Sequence, residues 1–169
     1  DTRFSKWVRK TFGKAPVLMS GVNPRLRAQV ATELLRSHGY FGGYVGYDVI
    51  TQNNPKKAKV AYTVNLGELN IIDTLDYVNF PKTAQALIDS TRAESLVRKG
   101  TPFNVSTLDA ERTRVSTLLR NNGYFYYQPD YATYLADTIA EPGRAQLRLH
   151  YADSLPSLVS RQWYVGRIN

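Results

Sequence analysis

Apolar residues at Phe4, Trp7, Val8 and Phe12 fall at helical spacing, which predicts a short amphipathic helix over residues 4–12 that Gly13 ends. After the extended stretch Ala15-Pro16-Val17-Leu18, Asn23 is a helix N-cap with Pro24 at the first helical position, and Leu26, Val30 and Leu34 form one face up to Gly39. Period-two patterning then takes over. Residues 44–51 are rich in β-branched and aromatic residues, Asn53-Asn54-Pro55 signals a turn, and Val60, Tyr62 and Val64 alternate with smaller or polar residues, so the two runs are expected to pair as a hairpin.

The pattern then repeats, with a strand in front. Leu69 to Val78 is a β-type run. Residues 82–98 carry Ala84, Leu87, Ile88, Leu96 and Val97 in helical register, with a possible kink at Ser90-Thr91 and a stop at Gly100. Ser106-Thr107-Leu108-Asp109 resembles a capping box, and Leu108, Val115 and Leu119 share a face up to Gly123. A second hairpin is expected over 126–138 and 144–151, turning at Pro142-Gly143. The segment Leu34-Leu35-Arg36-Ser37-His38-Gly39-Tyr40-Phe41 returns as Leu118-Leu119-Arg120-Asn121-Asn122-Gly123-Tyr124-Phe125, so the chain holds two units of roughly 80 residues. In each copy the glycine suits a left-handed residue just past a helix end. Leu34, Leu118 and Phe125 are expected to be buried, and Tyr40, Phe41 and Tyr124 to turn the chain onto its core. The complete unit is β-α-α-β-β, three strands backed on one face by two helices.

This arrangement resembles the POTRA domain of BamA/TamA-type outer-membrane assembly proteins. The features that carry the resemblance are the tandem β-α-α-β-β module, the glycine-ended second helix reading Leu-Leu-Arg-x-x-Gly-Tyr-Phe, and the alternating third strand. Phe12-Gly13-Lys14-Ala15-Pro16-Val17 is similar to TamA-type or other non-proteobacterial members. The resemblance implies an α+β fold of tandem POTRA modules, each a three-stranded mixed sheet backed by two helices. It divides the chain into residues 1–67, a module lacking its first strand; 68–153, a complete module; and 154–169, a linker and the first strand of a further module. The Asp153–Ser160 joint is expected to be looser than Gly67-Glu68. The implied role is the periplasmic part of an outer-membrane protein of a Gram-negative bacterium. Its implied partners are unfolded outer-membrane proteins, accessory lipoproteins or other periplasmic subunits. The alternative is a POTRA scaffold from a secretion or cell-division system that recruits partners without handling substrate.

Formal net charge of +8 and a pI near 9.7 favour acidic partners, including an anionic membrane surface, but Lys and Arg are dispersed and form no basic block. Cysteine is absent, which excludes disulfides and thiolate metal sites. His38 and His150 lie in different repeats, and Asp73, Asp76, Asp109, Glu111 and Asp137 suit helix capping and surface pairing. No phosphate loop, nucleophile motif or metal-ligand spacing occurs. The reading is a protein that is not an enzyme and carries no cofactor or metal. Clustered tyrosines in a basic chain could form a nucleic-acid stacking platform. However, the aromatics behind each glycine occur in both copies, as core packing requires, and no nucleic-acid partner is expected.

The second strand of each unit is the candidate binding element. Gly42, Gly43 and Gly46 crowd its start in the first unit and Pro129 interrupts it in the second, residues tolerated chiefly at sheet edges. Tyr44, Val45, Tyr47 and Val49, with Tyr126, Tyr127, Tyr131 and Tyr134, are the candidate partner-binding positions, where an extended peptide would add as a further strand.

Overall fold

The computed structural model describes residues 21–53 and 57–166. Helix α1 (Pro24–Ser37) leads to strands β1 (Tyr44–Thr51) and β2 (Ala58–Asn65); then come β3 (Ile71–Val78), α2 (Lys82–Ser90), α3 (Val105–Asn121), β4 (Ala132–Asp137) and β5 (Arg144–Tyr151). β1 and β2 form an antiparallel pair. In the second unit the order is β3-β5-β4, with β3 parallel and β4 antiparallel to β5. The helix and turn expected over 4–18 lie outside the described residues, as do Asn54 and Pro55 and the end of the strand expected from Arg161.

β5 is the central strand, and its side chains alternate between the two faces of the sheet. Ala145, Leu147, Leu149 and Tyr151 are buried, while Arg148 on the other face is exposed, which is the alternation of a sheet covered on one side. Those side chains meet two connected cores. The larger gathers Ile88 of α2, Val115 and Leu119 of α3, Tyr124, Tyr127 and Tyr151; the smaller gathers Ile72, Val97, Phe103, Leu108 and Leu147.

The helix ends follow the repeat. Asn23 caps α1 by accepting the Leu26 amide at 3.0 Å. α3 is capped by Asn104, which accepts the Ser106 amide at 2.8 Å, in place of the expected Ser106-led box. After each helix the glycine takes positive φ, 90° at Gly39 and 93° at Gly123. The Tyr40 amide then bonds back to the Leu35 carbonyl at 3.0 Å, and Tyr124 to Leu119 at 3.0 Å. This double turn is a Schellman motif, in which the residue after the glycine packs on the last helical turn.

That geometry corrects two burial expectations. Tyr124 takes the core position, so Phe125 points away and is 65% exposed. Leu34 is 59% exposed, and Leu26 and Val30 are exposed with it. α1 instead turns Ala28, which is buried, and Thr32 toward β1, where the Thr32 hydroxyl accepts the Val45 amide at 3.0 Å. Leu118, the counterpart of Leu34, is half-buried against the larger core.

Two element boundaries also move. α2 stops at Ser90, where the Ser90 hydroxyl bonds back to the Leu87 carbonyl and Thr91 Oγ1 to the carbonyls of Leu87 and Ile88. Side-chain competition of that kind ends helices. Leu96 and Val97 are therefore non-helical, with Val97 buried and Leu96 exposed. The expected strand over 126–138 narrows to Ala132–Asp137, because Pro129–Tyr131 forms a 3-10 turn. The proline thus precedes the strand and does not interrupt it. Residues 153–160 are anchored: Val159 is buried in the larger core, and the Tyr151 and Ser160 hydroxyls bond at 2.8 Å. Among the described residues no helix is long and apolar enough to cross a membrane.

Candidate functional site

The two edges of the second sheet differ. On the β3 side, the segment between α2 and α3 folds back onto the strand: the Ile72 amide donates to Thr101 O at 2.8 Å, Gly100 N–H to Ile72 O at 2.8 Å, and Phe103 N–H to Asn70 O at 3.0 Å. The Arg92 guanidinium caps the Leu75 carbonyl at 2.7 Å. This edge is largely closed by the protein itself.

On the other side, among the described residues, β4 pairs with β5 alone. The Ala152 amide donates to Tyr131 O at 2.9 Å, in line with the β4–β5 register. Because bonded and non-bonded pairs alternate in an antiparallel ladder, Thr133, Leu135 and Asp137 exchange backbone hydrogen bonds with β5. Tyr134 and Ala136 then turn their N–H and C=O groups outward, whereas the amide of buried Ala132 is taken by the Pro129 carbonyl of the 3-10 turn. The result is a row of backbone donors and acceptors beside the exposed side chains of Thr133 and Leu135, the latter 53% exposed.

In the first unit, the Gln52 amide donates to Lys57 O at 3.3 Å, so Val45, Tyr47, Val49 and Thr51 direct their backbone groups away from β2. Thr32 occupies the Val45 amide, and the free stretch is Tyr47 to Thr51. Tyr44, Tyr47 and Val49 are exposed.

The candidate tyrosines of the second unit scatter. Tyr126 lies in the loop after α3, half-exposed, its ring edge-on to Trp163 at 5.5 Å. Tyr127 is buried and stacked on Tyr151 with ring centroids 6.0 Å apart. Tyr131 belongs to the 3-10 turn, and Tyr134 alone sits in β4, its side chain packed on the core. Burial pushes the Tyr127 and Tyr134 phenols far up. The open edge is thus displaced toward Ala132–Asp137, and Tyr124 and Tyr127, being buried, offer no free stacking face. Ala136, which carries the edge with Tyr134, has no chemical signature in the sequence.

Glu111, expected among the surface acids, is fully buried. Its carboxylate accepts the Tyr77 hydroxyl at 2.6 Å, the Leu96 amide at 2.8 Å and Arg114 Nη2 at 2.7 Å. Burial alone would raise its pKa; the Arg114, Tyr77 and Leu96 hydrogen bonds outweigh that and hold it below the usual carboxylate range. This network fixes the 94–97 segment, which leads into residues 100–103 on the β3 side. The sequence carries a signal for it: Leu108, Glu111, Val115 and Leu119 share one helical stripe.

Each unit is joined to the next stretch of chain through its glycine turn. The Gly39 carbonyl accepts the Asn70 amide at 2.9 Å and Asn70 Nδ2 at 3.1 Å, and the Phe41 and Phe103 rings meet edge-on at 4.9 Å. The Gly123 carbonyl accepts the Trp163 amide at 2.8 Å.

No family model and no curated protein matches this sequence. Among solved structures the chain is similar to POTRA domains 3–5 of Haemophilus influenzae BamA, with a TM-score of 0.51 and 14% identity over 77% of this chain and 50% of that one. It is also similar to Haemophilus ducreyi BamA lacking POTRA domains 1–3, with a TM-score of 0.50 and 12% identity over 91% of this chain and 27% of that one. POTRA domains 1–3 of the periplasmic domain of Omp85 from Anabaena superpose less well, with a TM-score of 0.36 and 15% identity over 91% of this chain and 58% of that one. The chain has a POTRA-like α+β fold and spans half of the first BamA structure and about a quarter of the second.

Proposed function

We propose that this chain is a periplasmic POTRA scaffold of an outer-membrane protein assembly factor, working without catalysis, and that it holds extended segments of unfolded outer-membrane proteins or accessory subunits on the open edge of β4. The observation that carries the reading is the asymmetry of the second sheet: the β3 side is closed by residues 100–103 and Arg92, whereas Tyr134 and Ala136 present backbone groups that are unpaired among the described residues. Such an edge binds by backbone geometry with little demand on sequence, which suits a factor meeting many different β-strands. Affinity is weak, because each new hydrogen bond replaces one to water.

The test is an NMR titration of the chain with peptides copied from outer-membrane β-strands. Shifts are expected along 132–137, and Ala136→Pro, which removes an outward N–H, abolishes them while leaving the fold intact. Leu147→Pro, in the central strand, unfolds the unit. Shifts confined to Lys and Arg side chains, or binding unaltered in Ala136→Pro, would exclude strand addition and leave a charge-driven scaffold.

A further inference from the structure

The two glycine turns make the same backbone bond, but only one of them is covered. At the first joint Gly39 O receives the Asn70 amide, and Phe41 is closed over by Phe103 from the segment between α2 and α3. There is no room for a side chain: a Cβ on Gly39 would lie 3.0 Å from Asn70 O and 3.1 Å from Phe103 Cβ. At the second turn Gly123 O receives the Trp163 amide, and a Cβ on Gly123 would lie 3.0 Å from Trp163 O. Gln162 Nε2 adds a bond to Asn122 O at 2.9 Å, and the Trp163 indole N–H donates to Leu158 O at 2.9 Å. Trp163 is therefore held in the place that Asn70 occupies before β3. Among the described residues, Phe125, the counterpart of Phe41, has no counterpart of Phe103. It stands 65% exposed at a groove of about 640 Å³ shared with Trp163, Tyr164 and Val165, the last two 80% and 88% exposed.

We infer that Gly123, Phe125 and Trp163 are one half of an inter-unit joint, and that its occupant is a further β-α-α-β-β unit. That unit continues from Trp163 as β3 continues from Asn70, and its inter-helix segment sets an apolar side chain on Phe125 as Phe103 sits on Phe41. Continuity with the first joint selects this occupant. A lipid surface would use the aromatic rings but would have no use for a backbone bond that sets the direction of the next strand. Apolar contact at a wet surface groove favours closure, and the result is a second joint as tightly set as the first. This inference stands apart from the strand-addition reading, since it involves neither β4 nor any client.

The experiment extends the full chain: residues 1–163 are continued by a second copy of residues 71–166, placing the copy's Phe103 where it can meet Phe125. With Trp7→Phe, so that the first Trp163 and the copy's terminal tryptophan are the only indoles, and with the latter also changed to Phe, emission reports the joint alone. It is expected to shift to shorter wavelength relative to the 169-residue chain carrying the same Trp7→Phe change. Phe125→Ala reverses the shift and broadens the inter-unit distance distribution measured between paired spin labels, whereas Phe125→Leu retains both. Unchanged emission and distances in Phe125→Ala, with the appended unit folded by circular dichroism, overturn the inference. A comparable blue shift of the unextended chain on vesicles of phosphatidylcholine and phosphatidylglycerol also overturns it, in favour of a lipid-facing patch. Should the appended unit fail to fold, Phe41→Ala in the 169-residue chain remains decisive: the first joint must loosen, and a first joint as narrow as in the unaltered chain refutes the role given to these aromatics.

Discussion

The hydroxyl of Tyr77, in β3, donates a 2.6 Å hydrogen bond to the carboxylate of Glu111, in α3, across a fully buried contact between residues 34 apart in sequence. Through the same carboxylate the Leu96 amide and Arg114 are held, so sheet, helix and the segment beneath the β3 side meet at one side chain.

Removing that side chain leaves a hydroxyl, an amide and a guanidinium without their partner in the interior. Glu111→Ala is expected to destabilise by about 3–5 kcal/mol, the range for breaking one side of a buried ion pair. Glu111→Gln, which still accepts hydrogen bonds, loses less. Urea denaturation of both variants measures the difference, and equal midpoints for Glu111→Ala and the unaltered chain would refute the network's role.

The same contact predicts how stability varies with pH. Glu111 has its pKa lowered in the folded state, so its contribution is complete above the ordinary carboxylate value and is lost as pH falls through the folded value. Tyr77, by burial first and then by its bond to Glu111, is pushed up to about 12. It stays neutral when folded and ionises more readily when unfolded, so stability is present below pH 10 and falls as pH rises toward 12. Thermal melts across both limbs check this. Glu111→Gln should flatten the acid limb, and Tyr77→Phe the alkaline one.

Gly39 and Gly123 combine positive φ with no space for a Cβ. Gly39→Ala and Gly123→Ala are each expected to lose about 1–2 kcal/mol from the left-handed backbone alone. The Cβ clash adds to this at the joints. Calorimetric melts indistinguishable from the unaltered chain would contradict the assignment.

Within the repeated Leu-Leu pair, Leu119 is fully buried whereas Leu34 is mostly exposed. Leu119→Ala should cost about 2–5 kcal/mol by leaving a cavity. Leu34→Ala and Phe125→Ala, exposed in this chain, should lie within about 0.5 kcal/mol of neutral. Chemical denaturation of the three variants orders them, and a large loss in Phe125→Ala would mean that the ring packs within the unit itself.

The amino-acid sequence by itself determined the repeat, the β-α-α-β-β order and the glycine turns. Those features come from local rules: a helical or alternating period, a Pro at a helix start, a glycine where φ must be positive. Tertiary structure alone decided where the edge lies and what closes it. Whether a backbone N–H is open depends on ladder register, as at Tyr134 and Ala136, and no side-chain pattern encodes that. Glu111 stood in plain sight on the stripe of Leu108, Val115 and Leu119, with Arg114 one turn along the same helix, yet an acid there is favourable only once Tyr77 and Leu96 arrive from elsewhere to complete the replacement of its water. Phe41 and Phe125 occupy equivalent places in the repeat and differ in burial because one has Phe103 above it, a contact made between units and so beyond the reach of any local pattern.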